Sequence, residues 1–156
     1  MLEIERKFLV NSEDFKKEAY KIEHIVQGFL NRDPERTVRV RLYNEQGVLT
    51  VKGLSSDDGL KRFEWEKDIT KTEAKALLEF CEQGVIDKLR YNIKVGSHIF
   101  EVDEFFGENK GLIIAEVELN SEDEVFEKPN WLGKEVTGDI KYYNSQLSKE
   151  PFNLWK

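Results

Sequence analysis

The sequence is poor in cysteine and in long apolar runs. Among its 156 residues Cys81 is the single cysteine, so no internal disulfide can form and a reducing compartment fits. No apolar run approaches the length of a membrane span. The first residues are acidic, whereas a secretory signal begins with basic and then apolar residues. We therefore expect a cytoplasmic protein that does not bind membranes.

An excess of positive charge is also lacking. The net charge is -7, which argues against a protein that coats nucleic acid but permits a local cationic pocket. Charged residues make up 35% of the chain and hydrophobic ones 39%, including ten Phe and three Trp. That apolar content is too high for a disordered chain, and the length suits one domain spanning residues 1–156 around one core.

Charged residues alternate at the start of the chain. Glu3, Glu5 and Lys7 occupy every second position, and in a β-strand such side chains point to the same face. Ile4 and Phe8 take the opposite face. On its own this pattern is typical of the solvated face of an edge strand, but the same alternation recurs in nearly every later strand.

Eight segments with this alternation are predicted to be strands. Most are joined by short turns, which favours an antiparallel sheet or barrel. With the helices predicted between and after them, the fold class is α+β. The predicted strands are 2–10, 22–30, 36–42, 48–53, 60–69, 85–95, 99–105 and 112–119.

Helical signals are fewer. Thr70 and Glu73 fit a capping box in front of an apolar stripe that ends at Cys81, and Gly84 fits the position after the helix. Residues 121–126 are predicted to be helical, and Asp139 to cap a last helix. A short helix is also expected after residue 11. The last helix would place three apolar residues on one side: Ile140, Tyr143 and Leu147.

The polar faces of the strands carry pairs of like charges two positions apart. Such pairs repel unless an opposite charge lies between them. Closing the sheet into a barrel would bring cationic and anionic strands onto one lumen. Because a dry lumen full of charges would cost several kcal/mol per ion, we expect it to hold water and a charged ligand. The pairs are Glu3 with Glu5, Arg39 with Arg41, Lys88 with Arg90, and Glu116 with Glu118.

These side chains indicate the chemical class of the ligand. Paired carboxylates supply the oxygen donors that Mg²⁺ or Mn²⁺ prefers. Clustered Lys and Arg side chains suit a polyanion with several phosphoryl groups. A metal on one side and a cationic cradle on the other is typical equipment for phosphoryl transfer.

An ordered set of motifs resembles the CYTH domain family, the triphosphate tunnel metalloenzymes. The Glu3-Ile4-Glu5-Arg6-Lys7 stretch matches the ExExK signature of that family, and further matches follow in order along almost the whole chain. The short bacterial group, which contains inorganic triphosphatases, is the most similar. The further matches include 27–30, 37–41, 49–53, 62–64, 88–91, 101–105, 111–112, 115–119 and 135–137.

The resemblance implies an eight-stranded antiparallel β-barrel, the triphosphate tunnel, with helices packed outside. It further implies metal-dependent hydrolysis of a triphosphate, with Glu3, Glu5 and Lys7 as the catalytic group. Glu64 and Glu66 would orient the cations. The implied metal ligands are Glu3, Glu5, Asp103, Glu116 and Glu118. The implied substrate-binding cations are Lys7, Arg39, Arg41, Lys52, Arg62, Lys88, Arg90 and Lys141.

The chain departs from family patterns in two places. Adenylyl cyclases of the family often have His-Phe before the first Glu, where this chain has Met1-Leu2, and relatives often have Tyr where it has Phe29. Inorganic tripolyphosphate is the expected substrate. Adenylyl cyclase and thiamine or nucleoside triphosphatase remain alternatives, as does a non-catalytic polyphosphate or nucleotide binding module. Aromatic residues such as Trp131 and Trp155 would suit a homodimer.

Overall fold

The computed structural model describes residues 2–155, and within them the chain forms nine strands. Alternating apolar and charged residues produce strands with one face toward the lumen and one toward the outer packing. The strands are β1 (Leu2–Val10), β2 (Lys21–Asn31), β3 (Arg36–Tyr43), β4 (Gln46–Gly53), β5 (Lys61–Ile69), β6 (Ile86–Val95), β7 (His98–Phe105), β8 (Ile113–Glu118) and β9 (Leu132–Glu135).

Eight of these strands close into an antiparallel barrel. The order is β5-β4-β3-β2-β6-β7-β8-β1, and β1 pairs with β5 to close the ring. In that closing pair Glu3 lies opposite Arg62. The predicted barrel is therefore confirmed. The ninth strand, β9, was not predicted, because Leu132–Glu135 is too short to show alternation; it pairs with the end of β1.

The helices are shorter than the sequence pattern predicts. The capping box of Thr70 and Glu73 is present, but α1 spans Lys71–Leu78 and ends before Cys81. The C-terminal segment forms a 3-10 turn (Ile140–Tyr142) and then α2 (Asn144–Lys149). A 3-10 turn also covers Asp14–Glu18. None of the helices within residues 2–155 combines the length and the apolar character needed to cross a membrane.

The extended conformation of Tyr143 separates the turn from α2. As a result Tyr142 and Leu147 are buried while Ile140 is 63% exposed, so the predicted apolar side is only partly correct.

The predicted helix at 121–126 is wrong. This segment runs as turns and extended chain, because Phe126 is pulled against the barrel between Phe8 and Phe100, each about 6.0 Å away between ring centroids. Trp131 follows and is only 2% exposed, so it is a core residue and cannot supply the exposed surface expected of it for a homodimer. The connection between β8 and β9, residues 119–131, thus covers the outer face of the barrel.

The main core lies between the outer face of β1, β6, β7 and β8 and this cover. Phe15, in the turn Asp14–Glu18, is fully buried. Its ring meets Tyr91 edge-on at 5.3 Å and Trp131 at 5.8 Å. Such aromatic contacts add to the free energy gained by burying their apolar area. The helix α1 covers the outer face of β2, β3 and β4.

A second core lies inside one end of the barrel. Toward that end the inward positions change from charged to apolar, and α2 packs into the opening instead of lying outside, as the helices were predicted to do. At this end the backbone at Gly59 packs directly against the backbone at Gly138. A Cβ at Gly59, whose φ is +77°, would lie 2.3 Å from the Cα of Gly138. The tunnel is therefore closed at one end. This plug contains Phe29, Ile86, Phe105, Leu112, Ile114, Val136, Tyr142 and Leu147.

We expect Phe15→Ala to destabilise the fold by about 3 to 5 kcal/mol, because it opens a cavity among aromatic rings. Urea unfolding followed by tryptophan fluorescence would measure the loss. Phe80→Ala is the matched control: Phe80 is 77% exposed, so its removal should change the free energy of unfolding by no more than about 0.5 kcal/mol. Equal losses in the two variants would contradict the placement of the core.

Candidate active site

The charged faces of the barrel strands line one continuous cavity. Within each strand these side chains are two positions apart and therefore share the inward face, as Glu3 and Glu5 do on β1 and Lys88 and Arg90 do on β6. All the predicted substrate-binding cations except Lys141 lie on this lining. The carboxylates on the lining are Glu3, Glu5, Glu64, Glu66, Glu101, Glu116 and Glu118, and the cations are Lys7, Arg39, Arg41, Lys52, Arg62, Lys88 and Arg90.

The carboxylates of β1 and β8 face one another across neighbouring strands. Glu5 pairs in register with Glu118, and Lys7 with Glu116. The Lys7 ammonium lies 3.6 Å from a Glu116 oxygen and 4.7 Å from the ring centroid of Tyr143. Antiparallel pairing of two acidic strands therefore concentrates negative charge on this wall, with one ammonium beside it.

This wall holds more negative charge than its cations compensate. Burial, together with the neighbouring Glu116 and Glu3, raises the pKa of Glu5 well above its ordinary value. Burial also acts to raise the pKa of Glu116, but Lys7 and Arg90 outweigh it and lower that pKa to about 2. The two pKa values move in opposite directions because Glu5 lies near the carboxylates of Glu116 and Glu3, whereas Glu116 has the Lys7 ammonium 3.6 Å away.

The donor set on this wall fits a hard divalent cation. Glu5 and Glu116 are adjacent oxygen donors that need a positive charge between them, and Glu3 and Glu118 lie beside them on the same two strands. Among residues 2–155 no three His, Cys, Asp or Glu side chains already form a closed metal cage. Mg²⁺ typically takes only one or two protein carboxylates and completes its ligands with water and phosphate.

The predicted metal ligand Asp103 lies elsewhere. It is bound by Arg90, through Nε at 2.8 Å and Nη2 at 2.9 Å, and by the Lys88 ammonium at 2.7 Å. Burial opposes its ionisation, but Arg90 and Lys88 prevail and hold its pKa well below the usual range. The register on β6 and β7 explains this, because Arg90 lies directly opposite Asp103. Its position suits orientation of the cations.

The cations of β3 and β6 form a cationic wall, made of Arg39, Arg41, Lys88 and Arg90. Within it, Arg39 and Arg41 have the least compensation from carboxylates. Burial and the neighbouring Arg41 lower the pKa of Arg39 to about 10. Its Nη2 donates to Thr50 Oγ1 at 3.2 Å and lies 3.5 Å from Glu66. Among the described residues its Nε is buried without any hydrogen-bond partner. Since buried donors are nearly always paired, this nitrogen points to a missing acceptor.

Lys52 and Arg62 are held more firmly. The Lys52 ammonium lies 3.0 Å from Glu3 and 3.2 Å from Glu64, which agrees with the orienting role predicted for Glu64. Arg62 donates from Nε to the carbonyl of Gly53 at 2.6 Å. These contacts keep both cations in the lumen near the closed end of the tunnel.

Lys141 is the predicted cation that the structure places outside the tunnel. It is exposed, and its ammonium lies 4.9 Å from the ring centroid of Trp155 and 5.3 Å from that of Tyr142. The reason is local: in the turn Ile140–Tyr142, Tyr142 is directed into the plug, so its neighbour points to the surface. Sequence spacing could not show this.

Several residues on or next to the lining were not assigned a role from the sequence, and three of them make contacts with the cations or close the lumen. Gln27 is fully buried, and its Oε1 accepts from Arg41 Nε at 2.6 Å. Tyr143 and Asn144 reach the lumen from the C-terminal segment. Gln27 lies at an inward-facing position of β2, so the alternation of the strand could have predicted its contact with the lumen. For Tyr143 and Asn144 no such signal exists, because their positions depend on how the C-terminal segment closes the barrel.

Comparison with known proteins agrees with this architecture. The family model described as "CYTH domain" matches residues 1–151. The chain belongs to the CYTH domain family. An inorganic triphosphatase from Acetivibrio thermocellus is 48% identical over 155 residues, which are 99% of this chain and 97% of that protein. An inorganic triphosphatase from Nitrosomonas europaea is 37% identical over 151 residues, covering 95% of this chain and 97% of that protein.

A solved structure supports the same assignment of fold. The crystal structure of an inorganic triphosphatase superposes with a TM-score of 0.66 at 32% sequence identity. The match covers 93% of this chain and 96% of that one. The relatives therefore span nearly the whole length of the chain.

We expect tripolyphosphate to bind with uptake of protons at Lys88. Burial, and repulsion from Arg90 and Arg41, lower the Lys88 pKa to about 7 despite the nearby Asp103. A bound anion raises the Lys88 pKa. Between the pKa of the free protein and that of the complex, binding therefore takes up a proton, and the affinity for the anion falls as pH rises.

Calorimetry at pH 8 with EDTA, in two buffers of different ionisation enthalpy, measures this uptake. Lys88→Met should take up fewer protons than the wild type. Protons gained by tripolyphosphate itself are common to both proteins and cancel in the difference. Identical uptake by the two would show that Lys88 does not titrate on binding.

Proposed function

We propose that the protein hydrolyses inorganic tripolyphosphate with the aid of Mg²⁺ or Mn²⁺. The observation that carries the proposal is the buried Arg39 Nε, which has no partner in the part of the chain that the structure describes. It lies in a cationic wall that faces an acidic wall across one lumen. A linear anion with many oxygens supplies acceptors to the first wall. Its metal complex supplies positive charge to the second.

The cations would grip the substrate along its length. Arg39 and Arg41 on β3 and Lys88 and Arg90 on β6 lie on strands that flank β2, so they surround the lumen from neighbouring directions. Lys52 and Arg62 contribute from the closing side of the barrel. Apolar residues of the plug, including Phe29, end the site, so the chain of phosphates enters from the opposite end.

The acidic wall would hold the metal. Glu3, Glu5, Glu116 and Glu118 are the ligands we assign, and Asp103 is assigned to orienting Lys88 and Arg90. A bound divalent cation supplies positive charge against phosphoryl oxygens as the phosphoanhydride bond breaks. Lys7, between Glu116 and the Tyr143 ring, would donate to a phosphoryl oxygen beside this wall.

Water is the attacking group we assign. The serines on the lining are Ser55 and Ser145. Ser55 Oγ bonds to the hydroxyl of Tyr143, and within residues 2–155 neither serine has a histidine or carboxylate to activate it. Nucleophilic catalysis requires such a base. A covalent phosphoenzyme is therefore not part of the proposal, and Glu3 and Glu5 are the carboxylates placed to orient the water.

Three alternatives use the same lumen. An adenylyl cyclase or a thiamine or nucleoside triphosphatase would need groups that recognise an organic ring, and the cavity lining is dominated by charged side chains. A non-catalytic binding module would need the cations but not the acidic wall. The homodimer stays a prediction, without Trp131 as a contact.

The test is a panel of tripolyphosphate, ATP and thiamine triphosphate with Mg²⁺ or Mn²⁺, assayed for phosphate, pyrophosphate and cyclic AMP. We expect pyrophosphate and phosphate from tripolyphosphate, loss of the activity in EDTA, and recovery when metal is added back. Cyclic AMP from ATP with tripolyphosphate left intact would replace the hydrolase by a cyclase. Tight binding without turnover of any substrate would favour the binding module.

Arg39→Gln should weaken binding of tripolyphosphate by about 1.5 to 3 kcal/mol, because it removes a charge-assisted donor. The fold should survive, since the substitution also relieves repulsion from Arg41. Arg36→Gln is the matched control on the same strand, with a side chain that is 65% exposed. Calorimetry and KM measurements should separate the two variants; equal affinities would remove Arg39 from the substrate site.

A further inference from the structure

Two amides connect the cationic strands to the C-terminal helix. The Asn144 side chain, at the start of α2, accepts at Oδ1 from Gln27 Nε2 at 2.8 Å and from the Lys88 ammonium at 2.9 Å. Gln27 in turn accepts at Oε1 from Arg41 Nε at 2.6 Å. Arg41, Gln27, Asn144 and Lys88 thus form one hydrogen-bonded chain across β3, β2, α2 and β6.

The direction of every bond in this chain is fixed by chemistry. The Arg41 guanidinium can only donate, and so can the Lys88 ammonium. Arg41 alone fixes the chain, whatever the charge on Lys88. Gln27 must therefore turn its oxygen to Arg41 and its nitrogen to Asn144. Asn144 must then turn its oxygen to both Gln27 and Lys88. The orientation of each amide therefore follows from the guanidinium of Arg41 at one end of the chain.

This arrangement leaves the side-chain nitrogen of Asn144 without a partner in the described chain. With its oxygen held by Gln27 and Lys88, Asn144 Nδ2 finds no protein acceptor among residues 2–155. Asn144 lies on the cavity lining and is half-buried. Its nitrogen is not one of the fully buried unpaired atoms of the described chain, so it keeps some accessible surface.

We propose that Asn144 is a substrate-binding residue of the tunnel. Its Nδ2 donates to a phosphoryl oxygen, while its Oδ1 sets the direction of the Lys88 ammonium without neutralising it. This inference rests on the proposed triphosphatase function. It makes α2 part of the site as well as a plug, and it couples a neutral donor to two cations that bind the same anion.

Removal of the amide tests the proposal. Asn144→Ala should lower kcat/KM for tripolyphosphate roughly tenfold to hundredfold, the range expected for one hydrogen bond to a charged group. Asn144→Gln, which keeps both amide functions on a longer chain, should recover part of the loss. Lys149→Ala changes an exposed residue of the same helix and should leave kcat/KM and the unfolding midpoint unchanged.

A second measurement separates contact with substrate from a structural role. In metal-free buffer the side-chain NH₂ resonances of Asn144, assigned by comparison with Asn144→Asp, should shift on addition of tripolyphosphate. Unchanged resonances, or Asn144→Ala with wild-type kcat/KM, would overturn the inference while the triphosphatase stands. A wild-type protein that hydrolyses no triphosphate would instead overturn the proposed function, and the resonance shift would then report binding alone.

Discussion

The structure depends on one electrostatic constraint: closing the barrel forces the charged faces of all its strands except β2 onto a single lumen. Charges removed from bulk water must be compensated within the protein or by a ligand. Part of the compensation is internal, as in the Lys88, Arg90 and Asp103 cluster, where a carboxylate with a strongly lowered pKa lies between two cations. The other charges of the lumen have no such internal compensation, and these uncompensated charges are what make the lumen a binding site.

The uncompensated charges are unevenly distributed. On β1 and β8, burial and the neighbouring carboxylates of Glu116 and Glu3 raise the pKa of Glu5 well above its ordinary value. On β3 two guanidinium groups repel, and the buried Arg39 Nε has no hydrogen-bond partner within residues 2–155. An anion alone would relieve the second wall and aggravate the first, and a cation alone would do the reverse. A metal complex of a polyanion would relieve both, which is why the two walls together fit the proposed substrate with its metal.

The barrel and most of its lining could be predicted from the sequence, since alternation at period two fixes both the strands and the inward face. Other features could not be. Asp103 lies on the inward face of its strand, as the alternation predicts. Only its register opposite Arg90 shows that it is ion-paired with cations of the protein. Lys141 and Trp131 depend on how non-repetitive segments pack. The 121–126 segment follows a tertiary anchor, Phe126, and not its local helix propensity.

The C-terminal segment shows how this fold joins stability to function. Its apolar side chains, Tyr142 and Leu147, fill the end of the barrel where the inward positions of the strands turn apolar. A charged lumen open at that end would lose these contacts and admit water from both sides. The same packing fixes the start of α2 against the cationic wall, where Asn144 meets Lys88 and Gln27. The hydrophobic plug therefore determines the position of polar donors that no strand of the barrel could supply, because they approach along the barrel axis and not from its wall.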